Sequence, residues 1–267
     1  MSSSTLGLKF APLLRSLPSR SQLYMPSSST SLFHSSSPII TKSSSSPFTP
    51  TTHHRSISTT TAKMSATPYL TALAARRSIY PLKKESPIPD SRLREIITEV
   101  IKHVPSSFNA QSTRAVLLLH AEHDKLWDIH AEVLKPIVPA EGWAATEGKI
   151  NMFKGAYATI LFFTHAPTIV GQQKAFPMYA EKFPHWAAQS SGAHEISLWT
   201  ALAAEGLGGN LQHYNPLVDA RVRETWGISE DWVLDAELVV GTPAGEAGEK
   251  AFLPIEGERL LVFGEKA

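Results

Sequence analysis

Apolar residues repeat at helical spacing in several stretches between residues 69 and 206. The clearest stretch follows Asp90, an expected N-cap, and its apolar positions recur every three or four residues until Pro105 stops the helix. After Glu195 the last stretch is apolar on almost every side, which predicts a helix buried at the centre of a domain. Three glycines are expected to terminate that helix: Gly206, Gly208 and Gly209. The pattern predicts helices over residues 69–77, 90–104, about 123–135 and 186–206, and the end of another over 149–154.

Uninterrupted apolar runs between these helices are typical of buried strands. Strands are expected over residues 115–119, 158–163 and 236–240, and the apolar tail at 259–263 predicts a fourth. Helices and strands alternate loosely, and no internal repeat interrupts them. The chain is therefore expected to form a layered α+β or α/β domain.

Residues 1–63 differ in composition from the rest of the 267-residue chain. They hold 28 Ser or Thr and six Lys or Arg but no acidic residue, and the first carboxylate is Glu85. Such a segment cannot bury enough apolar surface to offset its conformational entropy. An Arg-bearing, Ser-rich and acid-free N-terminus is typical of a transit peptide. We therefore expect a disordered mitochondrial leader, and the alternative is a low-complexity tail without a targeting role.

Two features mark the end of this leader. The stretch Arg55-Ser56-Ile57-Ser58 resembles the arginine-directed processing sites of mitochondrial presequences. Met64 follows and could serve as an alternative start, which would produce a cytoplasmic form. The expected domain therefore spans residues 64–267.

These 204 residues are enough for one domain with a substantial core. They carry 19 Lys or Arg and 24 Asp or Glu, a net charge of −5, so the charge of +1 on the whole chain comes from the leader. A mildly acidic domain gives no electrostatic basis for nucleic-acid binding. The lack of cysteine excludes disulfides and thiolate sites. The longest charge-free apolar run, 196–204, is too short for a membrane span.

Three polar segments could carry chemistry. Arg76-Arg77-Ser78 offers two guanidinium groups and a hydroxyl, which suit a phosphate dianion. The alternative is that these basic residues at a helix C-terminus interact favourably with the helix dipole. Residues 105–111 place hydroxyl and carboxamide groups on a loop. These groups match the edge of a flavin or nucleotide, or they cap an ordinary polar turn. Residues 206–216 form a glycine-rich loop that follows a helix and lacks the spacing of the dinucleotide fingerprint.

Taken in order, these segments resemble the nitroreductase family. Arg-Arg-Ser is followed by Pro-Ser-Ser-x-Asn-x-Gln, and then by Gly-Leu-Gly-Gly-Asn-Leu-Gln-His-Tyr-Asn-Pro. The last segment is similar to a fungal and bacterial branch of small nitroreductase-like proteins, and the ordered match spans roughly residues 68–264. The resemblance implies an α+β nitroreductase-like fold, with a central sheet flanked by helices. It also implies an intertwined homodimer with two FMN sites between the subunits.

The same resemblance implies roles for individual residues. One subunit would hold the FMN phosphate and ribityl chain, the other would approach the same flavin, and a lysine near the C-terminus would add a second phosphate-binding cation. Many members carry Arg two residues after that lysine, where this chain has Phe252. The implied FMN-binding residues are Arg76, Arg77 and Ser78 of one subunit, Ser106, Ser107, Asn109 and Gln111 of the other, and Lys250. His213 and Tyr214 would line the substrate pocket.

The implied function is an FMN-dependent oxidoreductase. Flavin N5 would accept a hydride from NAD(P)H and later reduce a nitroaromatic or quinone-like acceptor, a small aromatic molecule, in ping-pong turnover. The cofactor carries this reaction, so no catalytic side chain is required. The fold also hosts other flavin reactions such as reductive dehalogenation. The competing hypothesis is a non-catalytic or regulatory flavoprotein in a lipid or oxidative-stress response.

The histidines suggest no other chemistry. His120 and His123 are metal-type ligands, but their spacing matches no zinc motif, so no metal site is expected. His194 lies in the predicted central helix, where we expect a core histidine satisfied by hydrogen bonds.

Overall fold

The computed structural model of the protein describes residues 65–266, so the leader predicted at residues 1–63 lies outside the described part of the chain. The described residues form seven α-helices, five strands and two short 3-10 helices, Ser107–Asn109 and Pro177–Lys182. The helices are α1 (Thr67–Ala75), α2 (Asp90–His103), α3 (His120–Leu134), α4 (Ala140–Lys154), α5 (Ala166–Ala175), α6 (Phe183–Ala204) and α7 (Asp219–Trp226). The strands are β1 (Leu82–Lys83), β2 (Thr113–Leu119), β3 (Ala158–His165), β4 (Gly208–Gln212) and β5 (Trp232–Pro243).

Strand β5 organises the sheet. The strand order is β1-β5-β3-β2, β4 also pairs with β5, and every pairing is antiparallel. Gly208 of β4 lies opposite Gly241, and Gln212 lies opposite Glu237. Because all pairs are antiparallel and helices cover the sheet, the domain is α+β, which confirms the predicted fold class and excludes the α/β alternative.

Two apolar clusters, one on each face of the sheet, form most of the core. One cluster joins Trp127 of α3 and Phe153 of α4 to the strands. The other joins Leu93 of α2 and Leu198 of α6 to the opposite face. Helix α6 buries residues along much of its length, as predicted for the central helix. None of the helices within residues 65–266 combines the length and apolar character needed to cross a membrane.

The three glycines after α6 have different structural roles, which the sequence pattern did not predict. Gly206 ends the helix with φ of 89°, a conformation that favours glycine. Gly208 and Gly209, expected to help terminate the helix, instead begin strand β4. A five-residue strand that starts with two glycines has little apolar patterning, so the expectation of a loop was wrong.

Asp90 is the first residue of α2 and not its N-cap, which is Pro89. Its carboxylate accepts hydrogen bonds from the Tyr157 hydroxyl and from Nε2 of His120, at 2.8 Å for His120. The N-cap prediction was therefore wrong, because tertiary partners occupy the carboxylate. Its negative charge still lies in the first turn, where it interacts favourably with the helix dipole.

The strand predicted at residues 259–263 is absent from the structure. This tail forms only an isolated bridge between Glu256 and Leu260. Its apolar side chains remain exposed, and Phe263 reaches 87% exposure. The prediction was wrong because apolar character alone does not provide a neighbouring strand with which to pair.

Candidate functional site

Arg76, Arg77 and Ser78 leave α1 and lie beside strand β4. The backbone at Arg76 is extended (φ −64°, ψ 117°), so the helix ends at Ala75 and both arginines lie beyond it. Ser78 forms a parallel bridge with Gly209 of β4. Their position at the sheet argues against the alternative that these arginines only interact with the helix dipole.

Arg76 lies where hydrogen-bond donors lack protein acceptors. Its guanidinium carbon is 4.3 Å from the centroid of the Trp199 ring. Nε of Arg76 and Nε1 of Trp199 are both buried, and neither has a hydrogen-bond partner among the described residues. Burial, followed by the charge of Arg77, lowers the pKa of Arg76. Unsatisfied donors and a destabilised cation at one place favour an anion, which would relieve both.

Gly209 allows β4 to approach Trp199 this closely. A Cβ atom at residue 209 would lie 3.0 Å from the Val239 carbonyl oxygen and 3.1 Å from Nε1 of Trp199. A larger residue would push the strand away from its neighbour or displace the indole. We call Arg76, Trp199 and Gly209 the anion cradle.

The C-terminal segment approaches the same region. Nη2 of Arg77 donates a hydrogen bond to the carbonyl oxygen of Gly248. Lys250 follows two residues later, is exposed, and holds its Nζ atom 5.2 Å from the ring centroid of Phe252. The structure therefore brings the segment of Lys250 to Arg77. Phe252, which replaces the arginine implied by the resemblance, contacts Lys250 and adds no charge.

The predicted polar loop has an unusual backbone. Phe108, Asn109 and Gln111 adopt positive φ angles of 56°, 52° and 52°. The Ser106 hydroxyl accepts a hydrogen bond from the Gln111 backbone nitrogen at 2.8 Å, which holds the loop closed. Left-handed conformations in non-glycine residues are costly and cluster at functional sites. Asn109 and Gln111 remain exposed.

The loop and the anion cradle contact different parts of α6. Ser106 and Ser107 line a small cavity with Trp186 and Ser190, in the first half of the helix. The cradle uses Trp199, nine residues beyond Ser190, which corresponds to a rise of about 13 Å along the helix. Within one chain the structure does not bring the two groups of predicted FMN-binding residues together.

Phe108 belongs to a cluster of aromatic side chains that the sequence pattern did not reveal. Its ring centroid lies 4.5 Å from that of Phe176, 6.0 Å from Tyr179 and 6.0 Å from Trp186. Phe108, Phe176 and Tyr179 are 49%, 39% and 45% exposed. These four residues, which we call the aromatic surface, present rings to an external planar molecule or protein. They are 68 or more residues apart from Phe108 in sequence, so no local pattern could connect them.

His213 and Tyr214, both expected in the substrate pocket, lie on opposite faces of the sheet. Tyr214 packs in the core cluster of α3, with its ring centroid 4.8 Å from that of His130. His213 is exposed. Leu211, two residues earlier in β4, packs against the cluster of α6, so the alternation of side chains along β4 directs residue 213 to the α6 side. The structure thus leaves His213 available to a ligand and directs Tyr214 into the interior.

Glu195 and Asp235 are linked through Ser191. The Ser191 hydroxyl lies 3.1 Å from Oε1 of Glu195 and 3.0 Å from Oδ2 of Asp235. Burial raises the pKa of both carboxyl groups. We call Ser191, Glu195 and Asp235 the Ser191 cluster. Sequence reasoning missed it because no spacing relates positions on α6 to a position on β5.

The remaining histidines have structural partners. Burial lowers the pKa of His194, whose Nδ1 donates to the Ser190 carbonyl oxygen at 2.7 Å, which confirms a satisfied core histidine. Burial also lowers the pKa of His123 to about 4. Within residues 65–266, no group of three or more His, Cys, Asp or Glu side chains is arranged to hold a metal ion.

The structure is thus an α+β domain with the anion cradle at β4, an edge strand of its sheet. The chain belongs to the nitroreductase family, whose profile matches residues 73–242. This family consists of oxidoreductases that generally depend on FMN.

Relatives support this assignment. The chain is 40% identical to HBN1 of Saccharomyces cerevisiae over 187 residues, which cover 69% of this chain and 93% of HBN1. It is 40% identical to the nitroreductase CinD of Lactococcus lactis, solved in complex with 4-nitrophenol, with a TM-score of 0.65 over 73% of this chain and 98% of CinD. A Desulfovibrio desulfuricans protein solved in complex with FMN shares the fold at 22% identity, with a TM-score of 0.55 over 74% of this chain and 98% of that protein.

The residues present fit FMN. Its phosphate is an anion, and the cradle offers two buried donors without acceptors together with a cation. Gly209 lets β4 pack closely against Trp199, which holds the indole Nε1 donor beside this strand. The strand β4 then leads over four residues, about 13 Å, from Gly209 to exposed His213, so an elongated ligand can follow it.

Proposed function

We propose that the protein is an FMN-dependent oxidoreductase that takes electrons from NAD(P)H and passes them to nitroaromatic or quinone-like acceptors. The observation that carries this proposal is the anion cradle, where Arg76 and Trp199 direct buried, unsatisfied donors to one place. FMN, when bound, supplies the hydride chemistry. The donor and the acceptor use one pocket in turn, which gives ping-pong kinetics.

In this proposal the chain binds and orients the cofactor. Arg76 pairs with the phosphate through charge-assisted hydrogen bonds, and Arg77, Ser78 and Lys250 surround it. Ser106, Ser107, Asn109 and Gln111 approach the flavin from the partner subunit. Two observations support a contribution from two subunits. The loop and the cradle lie about 13 Å apart along α6, and the loop backbone is preset by its left-handed residues.

A homodimer is part of the proposal. Several apolar residues of the C-terminal tail are exposed, including Phe252, Leu253, Leu261 and Phe263 at 72%, 72%, 63% and 87%. Contiguous exposed apolar residues are typical of protein interfaces. A second copy of the chain is the occupant we propose for this surface, because a monomer would leave the tail in water.

The acceptor is proposed to be a small aromatic molecule. The aromatic surface offers stacking partners for a planar ring. The relative CinD was solved with 4-nitrophenol. His213 lies at the end of β4, where it can contact an acceptor placed along the strand.

An absorbance spectrum of the purified full chain, before and after anaerobic addition of NAD(P)H, tests the proposal. Flavin bands that bleach with NAD(P)H and return with a nitroaromatic are the expected result. Bound flavin without nucleotide oxidation would favour the regulatory flavoprotein. A protein that stays colourless after incubation with FMN would contradict both.

We also propose that residues 1–63 direct the protein to mitochondria, with a cytoplasmic form starting at Met64. The support is the composition of this segment, which contains 28 Ser or Thr and six Lys or Arg but no acidic residue.

A further inference from the structure

An open cavity of about 280 Å³ lies between α5, α6 and β5. Its walls are mainly apolar and include Ile169 and Val170 of α5, Ala188 of α6 and Val233 of β5. Asp235 is the one charged residue among the described residues that line it. An apolar pocket with a single well-placed polar group is typical of a small-molecule site. The volume lies just below the range of about 300–1,000 Å³ for drug-sized ligands, so the cavity suits a smaller molecule.

A β-bulge directs Asp235 into this cavity. Phe162 of β3 pairs with Ala236 and Phe163 pairs with Leu234, so Asp235 is the extra residue on β5. In a regular strand Asp235 and Ala236 would face opposite sides of the sheet. Here both face α6, because Asp235 contacts that helix and Ala236 packs in its core cluster. Bulges re-aim side chains in this way next to active sites.

The Asp235 carboxylate has one oxygen held by the protein and one left for a ligand. Oδ2 accepts a hydrogen bond from the Thr164 hydroxyl at 2.7 Å and lies 3.0 Å from the Ser191 hydroxyl. Within residues 65–266, Oδ1 has no hydrogen-bond partner and is not fully buried. The two hydroxyl contacts fix the orientation of the carboxylate, so Oδ1 can accept from a donor in the cavity.

The same carboxylate lacks a cation. No Lys, Arg or His residue in the described part of the chain forms an ion pair with Asp235. Burial is the largest effect on its pKa and raises it, whereas the contacts with Thr164 and Ser191 favour the charged form. The charge of His213 favours that form too, but only from beyond ion-pair distance. A partly desolvated charge without a counter-ion is costly, and a bound cation would remove that cost.

We propose that this cavity binds a small organic cation, an ammonium or amidinium group on a compact apolar ring, through Oδ1 of Asp235. The cationic group donates to Oδ1, and the ring packs against α5 and α6. Asp235 contacts Ser191, which precedes Trp199 of the anion cradle by eight residues, a rise of about 12 Å along α6. The cavity is therefore distinct from the anion cradle, and the inference does not depend on the proposed redox activity.

Calorimetric titration of the purified full chain with benzylamine at neutral pH tests the site. Benzyl alcohol has the same ring with a neutral donor, and benzoate has the opposite charge. We expect benzylamine to bind about tenfold or more tightly than benzyl alcohol, because a charged donor forms the stronger hydrogen bond. Benzoate should not bind at this cavity. A wild-type protein that does not bind benzylamine, or that binds benzyl alcohol equally well, would overturn the proposal.

Three variants locate the binding. D235N keeps the shape of the side chain without its charge and should weaken benzylamine binding about tenfold or more. A188L fills the cavity from an exposed position on α6 and should weaken the binding of both ligands, so it covers the case in which D235N does not fold. The exposed Asp231 provides the control D231N, which should match the wild type. Benzylamine affinity that is unchanged in D235N or in A188L would rule out this cavity as the site.

Discussion

The Arg76 guanidinium group has its stacking partner inside the protein, but its Nε hydrogen lacks an acceptor there. We therefore expect Arg76→Ala to weaken FMN binding about tenfold or more, because a charge-assisted hydrogen bond contributes roughly 1.5–3 kcal/mol. Arg76→Lys should recover only part of this loss, since an ammonium group cannot form the planar bidentate contact. Fluorescence titration of the flavin-free protein with FMN measures both effects.

Arg94 provides a matched control for this prediction. It is an exposed arginine on α2. Arg94→Ala should bind FMN as the wild type does. Equal affinities for the Arg76 and Arg94 variants would remove the phosphate role from Arg76.

His123 predicts a pH dependence of stability. Burial holds its pKa at about 4, below the ordinary value of 6.5, and its Nδ1 atom lies 2.9 Å from the Thr159 hydroxyl oxygen. Above pH 6.5 the residue is neutral in both states and has no effect. As the pH falls below 6.5, the unfolded chain binds a proton that the folded chain does not, so stability is lost until about pH 4.

We expect His123 to lower the free energy of unfolding by about 2 kcal/mol between pH 7 and pH 5. Urea unfolding at the two pH values measures this difference. His123→Gln should show a smaller loss over the same interval, because glutamine does not titrate. Equal losses in both proteins would contradict a neutral buried histidine.

At the scale of elements, the contact between β4 and α6 depends on a residue without a side chain. Gly209→Ala should destabilise the protein by about 1–3 kcal/mol, because the added Cβ meets the Val239 carbonyl oxygen and the Trp199 indole. The same variant should retain less flavin, since Trp199 belongs to the anion cradle. Thermal unfolding and the ratio of flavin to protein absorbance measure the two effects.

A helical glycine with free space around it is the natural comparison. A Cβ added at Gly148 of α4 meets nothing within 4 Å. Gly148→Ala should therefore stabilise the helix by up to about 1 kcal/mol. If Gly209→Ala lowers the free energy of unfolding and Gly148→Ala raises it, the space around each glycine decides the effect of the substitution.

The sequence pattern predicted the elements whose burial is regular. The runs at 115–119, 158–163 and 236–240 lie within β2, β3 and β5, and the central helix was found within a few residues. It failed where long-range contacts decide the conformation. Gly208 and Gly209 form a strand because they pair with β5, whereas residues 259–263 pair with no strand of the sheet. β1, α5 and α7 carried too little apolar periodicity to be predicted.

The site was only partly accessible from sequence for the same reason. The motifs around Arg76, Ser106 and His213 were visible as ordered segments with a family resemblance. The separation of His213 and Tyr214 by the sheet depends on which face each residue takes after β4. The Ser191 cluster depends on packing between α6 and β5, which no local pattern encodes.

At the scale of the whole molecule, we expect the proposed homodimer to dissociate when the exposed apolar side chains of its C-terminal tail are replaced by charged ones. Leu261→Asp combined with Phe263→Asp should convert the proposed dimer to a monomer, because charged residues oppose burial at an interface. Flavin should be lost together with the dimer if both subunits contribute to the site. Analytical ultracentrifugation and the absorbance spectrum follow the two events.

Ile137→Asp serves as the control for the tail. Ile137 is an exposed apolar residue after α3, with 56% of its surface accessible. This variant should remain dimeric and yellow. Dissociation of both proteins, or of neither, would contradict a specific role for the tail.

The proposed leader gives a prediction about the mature chain. Cleavage at or near Arg55 should produce a protein that begins shortly after this residue, and the cytoplasmic form should begin at Met64. Intact mass measurement of the protein isolated separately from mitochondria and cytoplasm distinguishes these species. An N-terminus at Met1 in the mitochondrial fraction would contradict a cleaved leader.

The position of β5 in the sheet has a consequence for folding during translation. This strand pairs with β1, β3 and β4, yet it spans residues 232–243 and leaves the ribosome after the other helices and strands of residues 65–266. The nascent chain therefore cannot close its sheet until translation is nearly complete, and long-range strand pairing is slow in any case. A polypeptide that folds this late remains unfolded during synthesis and can still pass through a narrow pore. That property suits passage through an import pore, with the proposed leader at its front.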